Sequence, residues 1–331
     1  MYSEMQVRNS IKKLMIKSKL LSFFLFSLLR FINKKSKQEL ENRKTISLFE
    51  YNCLAKPFKL YPVYNIMDNN IYGTGKIISK IGLDPNDSLA EHGLIFGTLV
   101  QKHNIYSFVK NIITFSRYRE NILKRNVFDK NIVCVGPYIL HVDSLLSSYD
   151  LLKLKRKLGR VLTVFPSHSI ESITSQYSVQ EFCDEIEKVR SSFQFDSVII
   201  CLYWKDIQIG LSKEYVERGY KVTTAGYKYD FYFLNRLKSI ILLSDFTMSN
   251  NIGTHIGYCI CLKKGHYLID QAKTIISHKD AEREINQRGK VEQSSYEEAV
   301  NEIKKAFNVI HLEPTASQRM IVNTYWGYEN G

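Results

Sequence analysis

The stretch DSVIICLYWKDIQIGLSKEYVERGYKVTT, residues 196–224, gives the clearest view of how this chain folds. Residues 196–203 form a continuous apolar run of the kind found in parallel strands that are buried on both faces. Residues 207–217 have helical spacing, and Gly219 follows them as a typical helix C-terminus signal. Residues 220–224 are again strand-like. This β-α-β order predicts a parallel sheet.

The same alternation extends in both directions from this stretch. Upstream, residues 160–165 are predicted to form a strand and residues 179–190 a helix. Downstream, the pattern continues as a helix over 230–243, a strand over 246–249, a helix over 253–262 and a strand over 266–269. We therefore predict a doubly wound, Rossmann-like domain that covers residues 156–310.

The part of the chain before this domain has a less regular pattern. Residues 87–90 and 131–135 are predicted strands, and the basic segment 105–124 between them reads as a helix. A chain of 331 residues is long enough for two domains. We predict a smaller α/β domain over residues 45–155, with a hinge in the helix-like connection 151–159.

Residues 1–44 form a basic segment around a short apolar run, residues 20–29. The chain has a formal net charge of +13, and residues 1–40 carry nine Lys/Arg and two acids. The run has about half of the ~20 residues that a membrane-spanning helix needs. The flanking cations are Lys12, Lys13, Lys17, Lys19, Arg30, Lys34, Lys35 and Lys37.

This segment predicts an amphipathic helix that lies on an anionic membrane surface. The corresponding location is cytoplasmic, peripheral at the inner face of the cytoplasmic membrane. Packing of the helix on the protein's own surface is the main alternative. A cleaved signal peptide is a weaker one, because no small-residue cleavage site follows the apolar run.

Composition excludes several other classes of function. Four of the six cysteines lie in apolar runs, where free Cys behaves as a small hydrophobic residue. The cysteine spacing is typical neither of a zinc site nor of a disulfide framework, which favours a reducing compartment. The basic residues beyond the N-terminus are dispersed and match no nucleic-acid-binding motif, so we expect no nucleic-acid partner.

Small and hydrogen-bonding residues follow four of the predicted strands. Ligands of open parallel sheets bind beyond the carboxyl ends of the strands. The last of these strand ends, Ser249-Asn250-Asn251-Ile252-Gly253-Thr254-His255, opens a predicted helix. A helix N-terminus offers free backbone N–H groups and a positive dipole end to an anion, and Gly253 allows close approach. The competing interpretation is that Ser249 or Asn251 only caps the helix.

Two other strand ends carry candidate acids and bases. His168, within Pro166-Ser167-His168-Ser169, could donate to a phosphate or act as an acid, or it could simply bond to backbone. Glu91, followed by His92 and Gly93, suits a general base on a loop that faces a cleft. An exposed Glu in a turn is the alternative. Asp143 and His141 are weaker candidates for the base.

Together these motifs resemble GT-B-type glycosyltransferases of bacterial capsule and O-antigen biosynthesis clusters. The resemblance spans roughly residues 50–330, and the Ser-Asn-x-x-Gly turn is its most telling part. It also includes Val164-Phe165-Pro166-Ser167-His168-Ser169, Leu202-Tyr203-Trp204-Lys205-Asp206, Thr224-Ala225-Gly226, Glu91-His92-Gly93, Val135-Gly136-Pro137-Tyr138-Ile139 and Asn323-Thr324-Tyr325-Trp326-Gly327.

The resemblance implies two Rossmann-like domains that face each other across a cleft. The second domain would hold the nucleotide and the first the acceptor, and residues 311–331 would cross back, anchored by Tyr325 and Trp326. It also implies catalysis without a metal ion or cofactor, in which helix N-termini replace a cation. The absence of an Asp-x-Asp dyad in a suitable loop agrees with this.

The expected reaction is transfer of a sugar from a nucleotide-sugar donor to a glycan or lipid-linked acceptor. Glu91 or His92 would be the base, and His168 would act beside the donor phosphate. The expected donor-binding residues are Ser167, Ser169, Tyr203, Trp204, Lys205, Gly226, Tyr227, Ser249, Asn250, Asn251, Gly253, Thr254 and His255. A nucleotide-sugar epimerase, a phosphosugar or glycerophosphate transferase, and a non-catalytic partner of a polysaccharide assembly complex are the alternatives.

Overall fold

A computed structural model describes residues 14–15, 17–100, 105–170, 173–277 and 293–328. Within them, the chain forms two separate parallel sheets. The first contains β1 (Ser88–Ala90), β2 (Asn111–Thr114) and β3 (Asn131–Cys134), in the order β1-β2-β3. The second contains β4 (Val161–Phe165), β6 (Ser197–Cys201), β7 (Lys221–Thr223), β8 (Phe246–Ser249) and β9 (Gly265–Leu268). The predicted α/β class with parallel strands is confirmed.

The strand order of the second sheet is β7-β6-β4-β8-β9. The chain adds strands on one side of β4, then returns to add β8 and β9 on the other side. A crevice forms beyond the carboxyl ends of the strands where the order reverses in this way. The loops that follow β4 and β8 therefore meet at the natural binding point of the sheet. Two further strands, β5 (Ile173–Gln176) and β10 (Thr274–Ser277), form an antiparallel pair beside it.

Helices fill the connections between the strands. Several begin at a serine whose hydroxyl accepts a backbone N–H of the first turn, as Ser116, Ser147 and Ser178 do. The α-helices are Lys19–Ile32, Lys34–Asn42, Tyr51–Ala55, Gly75–Lys80, Arg117–Asn126, Ser148–Leu158, Val179–Phe193, Trp204–Gln208, Ser212–Glu217, Phe233–Leu243, Thr254–Cys261, Gln293–Phe307 and Ala316–Trp326. Short 3₁₀ helices cover Asp68–Gly73 and Tyr138–His141.

The prediction of a helix over residues 105–124 was wrong in its first half. Asn111–Thr114 is β2, the central strand of the first sheet, and the helix begins only at Arg117. β2 has four residues, and it is a strand because it pairs with both β1 and β3, which are distant in sequence. The predicted helix over 207–217 is also divided, because Gly210 has a positive φ of 91° between two short helices.

The N-terminal helix Lys19–Ile32 packs on the protein through one face. Phe26 is fully buried, and the Ser22 hydroxyl donates to the carbonyl of Asn65 at 2.7 Å. Arg30 donates to the side-chain oxygen of Asn65 at 2.9 Å. The first 13 residues of the predicted basic segment lie outside the described residues.

A buried ion triad connects the following helix to the second sheet. The Asp230 carboxylate accepts from Arg43 at 3.5 Å and from Arg236 at 3.0 Å, and all three side chains are fully buried. Breaking a pair of this kind leaves an uncompensated buried charge. The triad therefore holds residues near the N-terminus firmly against the part of the chain that carries β7.

The C-terminal helix Ala316–Trp326 contacts elements of both sheets. The Trp326 indole N–H donates to the carbonyl of Thr254 at 3.1 Å, and a Cβ on Gly257 would lie only 2.3 Å from the indole ring. Tyr325 meets Tyr118, on the helix that precedes β3, edge to face at 4.9 Å. The last helix therefore bridges the two halves of the molecule, one of which carries the first sheet and the other the second sheet.

Candidate functional site

A cleft of about 480 Å³ lies between the two sheets. The first sheet contributes His92 after β1 and Phe115 after β2. The second contributes His168 after β4, Tyr203 after β6 and Thr254 after β8. The carboxyl ends of both parallel sheets therefore face one volume, which is where ligands of such sheets bind.

Glu91 is held in an ion pair outside this cleft. Its carboxylate accepts from the Arg119 guanidinium at 2.6 and 3.0 Å and from the Thr114 hydroxyl at 2.8 Å. The side chains of Glu91 and Arg119 are only 13% and 4% exposed. The interpretation of Glu91 as the general base does not fit this geometry, because its oxygens are already occupied by donors. Its place in the structure is to join the end of β1 to the helix Arg117–Asn126.

His92 is the side chain from this motif that faces the cleft. It is 39% exposed, and its Nδ1 lies 3.9 Å from a carboxylate oxygen of Asp68. This contact places a carboxylate beside the imidazole, an arrangement that can orient a general base. Asp68 lies 24 residues earlier, in the 3₁₀ helix Asp68–Gly73, and no local pattern in the sequence indicated it.

The loop after β4 is pinned so that, among its described residues, Pro166 and His168 line the cleft. The Ser167 N–H donates to the side-chain oxygen of Asn250 at 2.6 Å, and the Ser169 N–H donates to Asp206 at 3.0 Å. Ser167, Ser169 and Asn250 are buried and bonded to protein, which contradicts the expectation that they bind the donor. Sequence reasoning missed Asp206 because a buried carboxylate beneath a loop has no local signature.

The two titratable side chains of this loop region have shifted pKa values. Burial raises the pKa of Asp206 to about 6, although donation from Ser169 opposes the shift. The His168 side chain is exposed to the cleft, and partial desolvation by the surrounding protein lowers its pKa below the usual value. His168 is therefore a neutral imidazole near pH 7, able to donate or accept one hydrogen bond.

The turn after β8 divides into a supporting part and an exposed part. The Ser249 hydroxyl bonds to Nε2 of buried His266 at 2.9 Å, so Ser249 supports the turn and does not line the cleft. Lys273, which the sequence did not indicate, donates to the carbonyl of Asn250 and to the side chain of Asn251. Ser249 and Asn251, which were expected to contact the donor, therefore make hydrogen bonds that support the turn.

The exposed part of this turn is Gly253-Thr254-His255. Gly253 is the N-cap of the helix Thr254–Cys261, so neither Ser249 nor Asn251 occupies the cap position. All three residues line the cleft. The His255 ring stacks on Phe165 at 4.9 Å, and burial lowers its pKa to about 3. A helix N-terminus beside neutral imidazoles is an environment that favours a bound anion.

Of the aromatic and cationic residues expected to hold the nucleotide, Tyr203 lines the cleft. Trp204 is buried and packs edge-on against Tyr227 at 4.8 Å. Gly226 has a positive φ of 111°, and a Cβ there would lie 2.8 Å from Arg236 and from Asp230. These three residues, together with Lys205, are therefore placed outside the cleft lining, contrary to expectation.

The described residues contain neither a metal-binding cluster nor a helix suited to spanning a membrane. Within them, no group of three or more His, Cys, Asp or Glu is arranged to hold a metal ion. None of the helices in the same part of the chain combines the length and the apolar character that crossing a bilayer requires.

No protein-family model and no curated protein matches this sequence. The solved structures that are similar to this chain include three of the wall teichoic acid polymerase TagF. The first has a TM-score of 0.36 at 14% identity and covers 55% of this chain and 48% of that chain. A TagF variant has a TM-score of 0.43 at 12% identity, with coverage of 73% and 64%. A variant soaked with CDPG has 0.41 at 11%, with coverage of 72% and 63%. This chain thus spans between about half and two thirds of the polymerase chains.

Proposed function

We propose that this protein is a glycosyltransferase that moves a sugar from a nucleotide-activated donor to a hydroxyl group of a surface polysaccharide or lipid-linked acceptor. One observation supports this most directly: the strand ends of two parallel sheets face one cleft, with His92 on one side and His168, Thr254 and His255 on the other. Sugar transfer needs a base for the acceptor and charge stabilisation for the departing phosphate.

The acceptor half of the proposed mechanism uses His92 as the general base. Asp68 faces Nδ1, so the opposite nitrogen is the one that accepts the acceptor's hydroxyl proton. As the acceptor oxygen bonds to the anomeric carbon, the bond from that carbon to the donor phosphate breaks. The phosphate leaves with the electron pair, and the imidazolium is stabilised by Asp68.

The donor half uses the helix that begins after Gly253. Its free N-terminal N–H groups and dipole stabilise the negative charge of the leaving nucleoside phosphate, in place of a metal ion. His168 and Thr254 supply side-chain donors beside it, and Tyr203 contacts the rest of the donor. The nucleotide sugar is a substrate, and the reaction as proposed needs no cofactor.

The proposed division of the chain follows from these roles. Residues 45–155 form the acceptor side, residues 156–310 bind the donor nucleotide, and residues 311–331 return across both. The functional test is a screen of purified protein with UDP-, GDP- and CMP-sugars and with a glycerophosphate donor. Release of free nucleotide from a nucleotide sugar supports the proposal. Turnover of only the glycerophosphate donor, or of none, refutes it.

Replacing Gly253 with valine should weaken donor binding at least about tenfold, or about 1.4 kcal/mol. A Cβ at this position would lie 2.8 Å from Nδ1 of His255, so the His255 ring must shift, and the larger side chain would occupy the cleft beside the helix N-terminus. The φ of −162° is open to any residue, so the backbone itself is not strained. Calorimetric titration with the donor measures the effect, and thermal unfolding checks the fold. Unchanged affinity in a folded variant would put the phosphate elsewhere.

We also propose that the N-terminal helix Lys19–Ile32 binds an anionic membrane surface. One face of the helix packs on the protein, whereas the opposite face leaves large apolar side chains in solvent. These are Leu20, Phe23, Phe24, Leu28, Phe31 and Ile32, which are 43% to 84% exposed. Lys17, Lys19, Lys34 and Lys35 flank this face at its two ends. Apolar surface bordered by cations suits the headgroup region of a bilayer.

Replacing Phe24 and Phe31 with serine should lower binding to phosphatidylglycerol-containing vesicles at least about tenfold, because each buried aromatic side chain contributes about 1.5–3 kcal/mol. Neither side chain supports the fold, since they are 65% and 69% exposed. Phe128→Ser is a matched control, because Phe128 is 86% exposed outside this helix. Vesicle co-sedimentation measures the difference. Equal binding by the double variant and the control would overturn the proposal.

A further inference from the structure

Two tyrosine hydroxyls meet inside the cleft, one from each half of the molecule. The Tyr72 and Tyr203 oxygens are 3.0 Å apart, although the residues are 131 positions apart in sequence. The Tyr72 ring lies 6.4 Å from the His92 ring, and the Tyr203 ring lies 4.9 Å from the His168 ring. The hydroxyl pair therefore lies between the imidazole of the acceptor side and the imidazole of the donor side.

Tyr72 has a backbone conformation that is unfavourable for its residue type. Its φ of 56° is in the left-handed region, where a bulky residue is rarely found. The other half of the molecule holds it there, because its N–H donates to the carbonyl of Lys228 at 2.7 Å and its ring packs on Phe233 at 4.4 Å. Strained residues that are held by their surroundings are concentrated at functional sites.

Apolar side chains form much of the wall of the cleft that holds the hydroxyl pair. Phe115, Phe233, Leu234 and Leu237 line the same cleft. A ligand that separates the two hydroxyls in such surroundings must replace their mutual hydrogen bond, because polar groups left without a partner there are costly. A site built in this way favours a group with hydroxyls of its own and rejects an analogue that lacks them.

We propose that Tyr72 and Tyr203 form the contact point for the transferred sugar, whose hydroxyl groups replace the hydrogen bond between the two tyrosines. This inference rests on the proposed function and adds a substrate specificity to it: the group that is transferred carries several hydroxyls. Tyr203 approaches it from the donor side and Tyr72 from the acceptor side. The two residues thereby select which group is transferred from the donor side of the cleft to the acceptor side.

The first test is binding, and it does not require turnover. Protein labelled with [ζ-¹³C]tyrosine is titrated with UDP-glucose, GDP-mannose and CMP-sialic acid, and separately with UDP, GDP and CMP. Tyr72→Phe and Tyr203→Phe assign the two resonances. Both resonances should shift with at least one nucleotide sugar and not with the matching free nucleotide. If no nucleotide sugar shifts both resonances, or if the free nucleotide shifts them equally, the inference is wrong.

The second test is turnover with a donor identified by the functional screen. Tyr72→Phe and Tyr203→Phe should each lower kcat/KM about tenfold, the loss expected for one neutral hydrogen bond. Tyr177→Phe is the matched control, because Tyr177 also pairs its hydroxyl with another tyrosine, Tyr215, at 2.9 Å, but outside the cleft lining. Wild-type rates in both cleft variants would refute the contact role and leave the proposed transferase activity standing. Resonance shifts without turnover of any donor would refute the transferase activity instead.

Discussion

Replacing His92 with asparagine should lower the turnover of sugar transfer at least about 100-fold, because a positioned general base contributes typically 10²–10⁴-fold. Asparagine is close in size but cannot accept the acceptor's proton. Donor affinity should stay near normal, since the proposed donor contacts lie on the second sheet, and the loss should therefore appear in kcat. Steady-state kinetics and a separate donor titration distinguish the two effects.

Two further variants sharpen this prediction. Asp68→Asn should lower turnover less than His92→Asn does, because it removes the orienting charge and leaves the imidazole in place. His141→Asn is the matched control, since His141 bonds to the carbonyl of Val135 at 2.7 Å and lies outside the cleft lining. If His92→Asn transferred sugar at the wild-type rate, the base would have to be another residue.

Replacing Glu91 with glutamine should lower the free energy of unfolding by about 3–5 kcal/mol, the usual effect of breaking a buried ion pair. The variant leaves the Arg119 guanidinium, whose side chain is only 4% exposed, without its compensating charge. Urea unfolding measures the change. At a temperature where the variant remains folded, its turnover should stay within a few-fold of wild type.

A double variant tests the physical reason for this instability. Replacing Arg119 with methionine in the Glu91→Gln background removes the uncompensated charge and should restore part of the lost stability. Normal stability with strongly reduced transfer in the single variant would be the opposite result. It would return the role of general base to Glu91 and exclude the structural role that its hydrogen bonds with Arg119 and Thr114 indicate.

The second sheet could be predicted from local sequence to within a few residues. Parallel strands buried on both faces are continuous apolar runs, so each strand carries its own signal, as Ser197–Cys201 does. In the first sheet, the strands predicted over 87–90 and 131–135 match β1 and β3, but the central strand β2 was missed. Asn111–Thr114 forms a strand because it pairs with β1 and β3, and a local sequence pattern does not contain that information.

The sequence indicated the loops that surround the cleft, but not which of their side chains line it. His92, His168, Tyr203, Gly253, Thr254 and His255 were expected at the site, and all six line the cleft. Ser167, Ser169, Ser249 and Asn250 were expected there too, but they are buried supports of the loops. A polar residue at a strand end can either bind a ligand or hold a loop in place. The two roles are distinguished only when the hydrogen-bond partners of the residue are known.

The sequence by itself determined the fold class, the loops at the carboxyl ends of the strands of the second sheet, and the turn that opens the helix Thr254–Cys261. These follow from the periodicity of apolar residues and from helix-terminus chemistry, which act over a few consecutive residues. Only the tertiary structure decided which side chains face the cleft. The Arg119 guanidinium pairs with the Glu91 carboxylate. The Asp206 carboxylate accepts a hydrogen bond from the loop that carries His168, and the Asp68 carboxylate lies beside the His92 ring. These partners are 24 to 38 residues away along the chain, so only folding brings the charges and hydrogen-bond donors together. Those contacts distinguish the residues that support the loops from the residues that face the cleft.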